Sequence, residues 1–133
     1  MIKKRFLNLV FIVSILFSVQ GMITSVQAQE NNLPAIAQSI TENFIKGNYE
    51  AITETFDGNM KAALSAKQLE TVWQQLQAAC GSYKKSGIPE KKVIQGYDAI
   101  EFLVEFERAK LIQRTVFDKQ GKVAGLFFLP YRS

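Results

Sequence analysis

Hydrophobic residues recur with a helical period up to Cys80 and alternate from Tyr97 onward, and no other feature narrows the possible folds as much as that switch. Leu33, Ile36, Ile40 and Phe44 share a helical face with Ala37, and Gly47 ends the run. Asn48 is placed to cap a short second helix carrying Ala51, Ile52, Thr55 and Phe56. Asp57-Gly58-Asn59 reads as a break, followed by a loop that holds Met60 and Leu64. Ser65 and Gln68 form a capping box. The third helix that they open runs to about Cys80, with Leu69, Val72, Trp73, Leu76 and Cys80 on one stripe. Gly81 stands where a glycine would stop it.

Beyond Gly81 the pattern predicts strands. Tyr83 to Ser86 and Lys92 to Gln95 flank Gly87-Ile88-Pro89. From Tyr97 the alternation is clean, with Ile100, Phe102, Val104 and Phe106 on one face and Ala99, Glu101, Leu103 and Glu105 on the other. Further strands cover Lys110 to Phe117 and Val123 to Leu129, separated by the turn Asp118-Lys119-Gln120-Gly121 and ended by Pro130. Helices followed by an antiparallel meander make an α+β domain, its N-terminal helices packed on one face of the sheet.

Residues 1–28 have the layout of a secretory signal peptide: Lys3, Lys4 and Arg5, an apolar run from Phe6 to Val19, and Val26-Gln27-Ala28 before Gln29. A spanning helix needs about 20 predominantly apolar residues, and Asn8, Ser14, Ser18 and Gln20 interrupt this run. Cleavage between Ala28 and Gln29 is therefore expected, leaving residues 29–133 as a single domain exported to the periplasm or beyond, with no stable membrane anchor. Three of the 16 basic residues fall in that segment and none of the 12 acidic ones does, so the remainder is nearly neutral. Its basic residues are dispersed, which argues against a nucleic-acid partner.

Histidine is absent and cysteine occurs once, at Cys80. That composition excludes Ser-His-Asp and Cys-His nucleophile systems and zinc sites built on His or Cys. No catalytic residue, metal ligand or cofactor is expected. Cys80 lies on the apolar stripe of the third helix and is read as buried.

Several segments carry a family resemblance. They are Met60 to Leu64, Leu69-Glu70-Thr71-Val72-Trp73-Gln74-Gln75-Leu76, Gly96-Tyr97-Asp98, Phe106-Glu107-Arg108-Ala109, Val116-Phe117-Asp118 and Gly121 to Phe128. Together they resemble the bacterial domain-of-unknown-function family 3887, from about Ile36 to Pro130. The resemblance implies a cystatin-like or nuclear-transport-factor-2-like fold, a helical layer cradled by a curved antiparallel sheet. It also implies an exported segment that often precedes an α/β-hydrolase. This sequence holds no Gly-x-Ser-x-Gly elbow, so hydrolase chemistry is not expected in it, and the family has no catalytic residues to carry over.

With Glu107-Arg108 as a two-residue turn, Glu105 faces Lys110 and Glu101 faces Arg114 across the strands. Glu101 and Glu105 are then about 13 Å apart along one strand, too far for a paired acid and base at roughly 5–9.5 Å. The same register puts Phe102 and Gln113 on the helix-facing side. Two readings stand for Gln113: a cap on a backbone group of the helices or a place at the sheet rim, or a polar member of a ligand pocket formed with Trp73, Phe102 and Asp98. On the outer face Leu103 meets Ile112, and the final hairpin is expected to add Val123 and Phe127, an apolar patch suited to association. A homodimer through that face, or an exported hydrolase partner, is the expected occupant. The chain thus reads as an exported non-enzymatic binding or interaction module. A small cofactor-independent pocket enzyme of the isomerase or dehydratase type is the alternative.

Overall fold

The computed structural model describes residues 32–132. The signal-peptide reading of residues 1–28 lies outside them. Four helices come first: α1 (Leu33–Lys46), α2 (Tyr49–Thr53), α3 (Gly58–Ala63) and α4 (Ala66–Cys80). Five strands follow: β1 (Tyr83–Ser86), β2 (Glu90–Ile94), β3 (Tyr97–Phe106), β4 (Lys110–Phe117) and β5 (Val123–Pro130). The expected α+β order is present. Among the described residues no helix is long and apolar enough to cross a membrane.

The helix stops follow their local chemistry. Gly47 closes α1 in the left-handed region, with its N–H on the Phe44 carbonyl. Both arms of the Ser65–Gln68 capping box are formed, Ser65 N to Gln68 Oε1 at 2.8 Å and Gln68 N to Ser65 Oγ at 3.2 Å. Asn48 precedes α2 as expected but makes no side-chain cap. The predicted loop after Asp57 is instead the helix α3. Asp57 is its N-cap, and Oδ1 accepts from Met60 N at 2.7 Å. An aspartate before glycine and asparagine suits a turn and a helix start equally well. Here packing of Met60 and Leu64 into the core decides for helix.

β2, β3, β4 and β5 form the expected meander, starting two residues earlier at Glu90 than the pattern suggested. β1 and β2 both lie antiparallel along the same strand, β3: β1 at its Val104–Phe106 end and β2 at its Tyr97–Glu101 end. Gln95 and Gly96 both take positive φ, which makes the two-residue turn between β2 and β3. The β3–β4 register is as expected, with Glu101 opposite Arg114, Phe102 opposite Gln113 and Leu103 opposite Ile112.

The last hairpin departs from expectation at one residue. Phe127 faces Arg114 on the outer side, but a bulge after Val116 pairs Phe117 with Val123 rather than Ala124. The extra residue reverses parity, so Val123 points into the main core and not onto the outer face. Its backbone is also held there, with Val123 N donating to Thr55 O at 2.8 Å and Val123 O accepting from Asp57 N at 2.9 Å.

The main core lies between the helices and one sheet face, around Phe44, Trp73, Phe106 and Ile100. Trp73 stacks on Phe44 with ring centroids 4.8 Å apart. A smaller buried cluster occupies the opposite face: Ala99, Val116 and Phe127, with Ile94, Tyr97 and Leu129 against them. Phe127 lies over Gly125, where an added Cβ would come within 3.1 Å of its ring. A glycine there lets the ring lie flat on the strand.

Candidate functional site

The four side chains expected to share a pocket do different jobs. Gln113 is fully buried at 0 % exposure and joins α1 to β4. Thr41 Oγ1 donates to its Oε1 at 2.6 Å, and its Nε2 donates to Ala37 O at 3.2 Å and to Thr115 Oγ1 at 3.4 Å. Both its N–H donors and its carbonyl oxygen are therefore engaged by the protein, which fits the backbone-capping reading. Trp73 belongs to the core through its stacking on Phe44 and its contact with Phe106, ring centroids 5.6 Å apart. Phe102 is buried, at the floor of a small cleft beside Thr41 and Ile45. Asp98 lies at the far end of β3, 3.8 Å from Lys91 Nζ. The expected constellation is not assembled.

A different cavity is. Between α4 and the helix-facing side of β4 and β5 runs an apolar groove of about 350 Å³. Val72, Leu76 and Ala79 line it from α4, Leu111 and Phe128 from β4 and β5, and Leu64 also borders it. Cys80, buried as expected, is part of its lining, and Gln75 is a polar group on it. The signal for this groove was present in the sequence. Val72 and Leu76 widen the apolar stripe of α4 beyond the buried Leu69, Trp73 and Cys80, while Leu111 and Phe128 share the core parity of their strands. What could not be read was that α4 stands off the sheet at that point.

Electrostatics single out two carboxylate sites. On the outer face Glu101 accepts from Arg114 Nε at 2.6 Å, and Lys92 Nζ is 3.1 Å away. Burial alone would raise the Glu101 carboxyl, but the hydrogen bonds and charges of Arg114 and Lys92 outweigh it and hold it below the ordinary glutamate value. This is the expected cross-strand pair, joined by a third member. Glu105 and Lys110 face each other in register without closing an ion pair. The other site was missed: Asp57 and Asp118 are both buried, and in each one Oδ2 has no hydrogen-bond partner. Among the described residues no group of three or more His, Cys, Asp or Glu side chains is arranged to hold a metal ion.

The family model described as "Protein of unknown function (DUF3887)" matches residues 37–126. The chain is also similar to "Esterase EstD" of Thermotoga maritima, 31% identical over 81 residues, which cover 61% of this chain and 20% of that protein. The match thus spans about one fifth of the esterase's length. No solved structure matches significantly.

Proposed function

Since the chain belongs to the DUF3887 family, we propose that it is an exported, non-enzymatic binding module accessory to an α/β-hydrolase, whose α4–sheet groove holds the apolar part of a ligand. The observation that carries this reading is the groove, about 350 Å³ walled by leucine, valine, alanine and phenylalanine side chains. That lining suits an acyl chain or an aromatic group. The likeness to one fifth of an esterase supports a role beside ester chemistry. Export rests on the layout of residues 1–28, with cleavage between Ala28 and Gln29. The isomerase-like alternative needs a carboxylate in the cavity, and none is among the residues lining the groove.

A dansyl-labelled fatty acid should bind the chain saturably with a blue-shifted emission. Ala79 is exposed at the groove rim, so Ala79→Trp should fill the groove and cut affinity at least about tenfold, roughly 1.4 kcal/mol, while the melting temperature holds. Absence of binding by the wild type, or undiminished binding by the variant, would sink the proposal.

The outer sheet face is the surface we assign to a macromolecular contact, either the hydrolase or a second copy of the chain. Leu103 and Ile112 are half-buried there and lie opposite each other. Phe127 is 5 % exposed and packed on Ala99 and Val116, so it supports the face from within. Leu103→Glu should therefore weaken self-association in light scattering with little effect on stability, whereas Phe127→Glu should unfold the chain. A wild type that stays monomeric at high concentration would remove the second-copy reading.

A further inference from the structure

A second, smaller cleft opens between α1 and the β1–β3 side of the sheet, and it shares no lining residue with the α4 groove. Gln38, Thr41, Glu42 and Ile45 line it from α1, at the i, i+3, i+4 and i+7 positions that put side chains on one face of a helix. Tyr83 and Ser86 line it from β1, and the buried Phe102 of β3 is its floor. Its volume is about 110 Å³, below the roughly 300–1,000 Å³ of a site that encloses a whole small molecule. A space of that size takes the end of a side chain.

The lining carries one charge and a surplus of acceptors. Thr41 is committed inward, its Oγ1 donating to Gln113 Oε1 at 2.6 Å. Tyr83 Oη and Ser86 Oγ are 2.8 Å apart, so one hydroxyl donates to the other and lone pairs are left over. Among the described residues, the Gln38 amide and the Glu42 carboxylate have no hydrogen-bond or ion-pair partner. Lys46 stands one turn along from Glu42 and makes no ion pair with it, and neither Lys46 nor Lys84 and Lys85 of β1 line the cleft. At the rim Ile45 is 48 % exposed, one of the few large apolar side chains left in solvent.

We propose that this cleft binds a guanidinium group, the end of an arginine side chain presented by a partner polypeptide. A guanidinium is a flat cation whose N–H groups are all donors. Here it meets the Glu42 carboxylate, the Gln38 amide oxygen and the hydroxyl oxygens of Tyr83 and Ser86. The aromatic side chains of Tyr83 and Phe102 suit a flat, weakly hydrated cation, and Ile45 offers its aliphatic stem an apolar contact. Lysine brings the same charge on a compact, strongly hydrated head and fits less well. A free arginine would leave most of itself outside so small a cleft, which assigns the occupant to a larger chain. This site goes beyond the groove function proposed above and does not depend on it.

Amide-resolved NMR of the labelled full chain, titrated with Nα-acetyl-arginine amide, should show saturable shifts confined to residues 38–45, 83–86 and the surroundings of Phe102. Nα-acetyl-citrulline amide has the same shape without the charge. It should bind at least about threefold more weakly, the scale of one exposed ion pair, and Nα-acetyl-lysine amide should fall between the two. Glu42 is exposed, so Glu42→Gln should keep the melting temperature while erasing the preference for arginine over citrulline. Lys46→Gln should preserve that preference. A tripeptide with arginine between two alanines should bind no more weakly than the capped amino acid. Absence of shifts at the cleft, citrulline or lysine binding as well as arginine, or a preference that survives Glu42→Gln would each overturn the proposal. Exclusion of the tripeptide would overturn the polypeptide occupant. None of these results depends on fatty-acid binding.

Discussion

Trp73→Ala is expected to cost about 3–5 kcal/mol of stability, in the range for truncating a large aromatic side chain in a packed core. The indole is 3 % exposed and bridges the two layers, stacked on Phe44 of α1 and close to Phe106 of β3. Its removal leaves a void that α4 and the sheet cannot close without moving against each other. A domain of this size is stable by only about 5–15 kcal/mol, so the melting temperature should fall by more than about 10 °C. Trp73→Phe keeps an aromatic face for Phe44 and should cost less than half as much. The comparison also separates a core role from a ligand-contacting one. If Trp73 serves the core, the phenylalanine variant binds the dansyl fatty acid as the wild type does. Loss of binding with stability unchanged would put the indole back in a ligand site.

Gly81→Ala should also be strongly destabilising, at about 2–4 kcal/mol. Gly81 ends α4 with φ 91° and ψ −173°, a region that is essentially restricted to glycine and costs about 1–3 kcal/mol for other residues. Space is also lacking, because an added Cβ would lie 2.6 Å from Glu107 Cβ. Glu107 cannot retreat cheaply. Glu107 N donates to Ser82 O at 2.9 Å, and Arg108 donates through its backbone N to Cys80 O at 2.7 Å and through Nη2 to Ala78 O at 3.1 Å. Through these bonds the β3–β4 turn caps the C-terminal end of α4, supplying donors to its last carbonyls and a cation to the negative end of its dipole. A chemical-denaturation midpoint for Gly81→Ala within error of the wild type would show that the hairpin can move away at no cost.

The β3–β4 register was legible because two independent demands agreed on it. A two-residue turn at Glu107-Arg108 sets opposite charges against each other at Glu101 and Arg114, and it keeps Phe102 and Val104 on the core side. Strand parity carries such information over short distances. It failed at Val123, where one extra residue at Ala124 restores the core side. Alternation cannot locate a bulge, since a bulge is settled by what else holds the backbone; here Thr55 and Asp57, far away in sequence, hold it. α3 was hidden for a similar reason. A six-residue helix entered through Asp57-Gly58-Asn59 carries a turn signature, and the core contact of Met60 makes the helix worth forming.

The candidate sites divide along the same line. Gln113 stood out in the sequence as a polar residue at a core position, but whether it faced a ligand or α1 depended on where Thr41 and the Ala37 carbonyl came to lie. The groove, and the burial of Asp57 and Asp118, required the layers to be docked. The period switch at Gly81, the capping box, the meander and the absence of histidine are all readable from the amino-acid order, because each is a property of neighbouring residues or of composition. Which apolar side chains leave a cavity and which carboxylates are buried was set by the docking of the layers, because both depend on contacts between segments far apart in the chain, which no local pattern encodes.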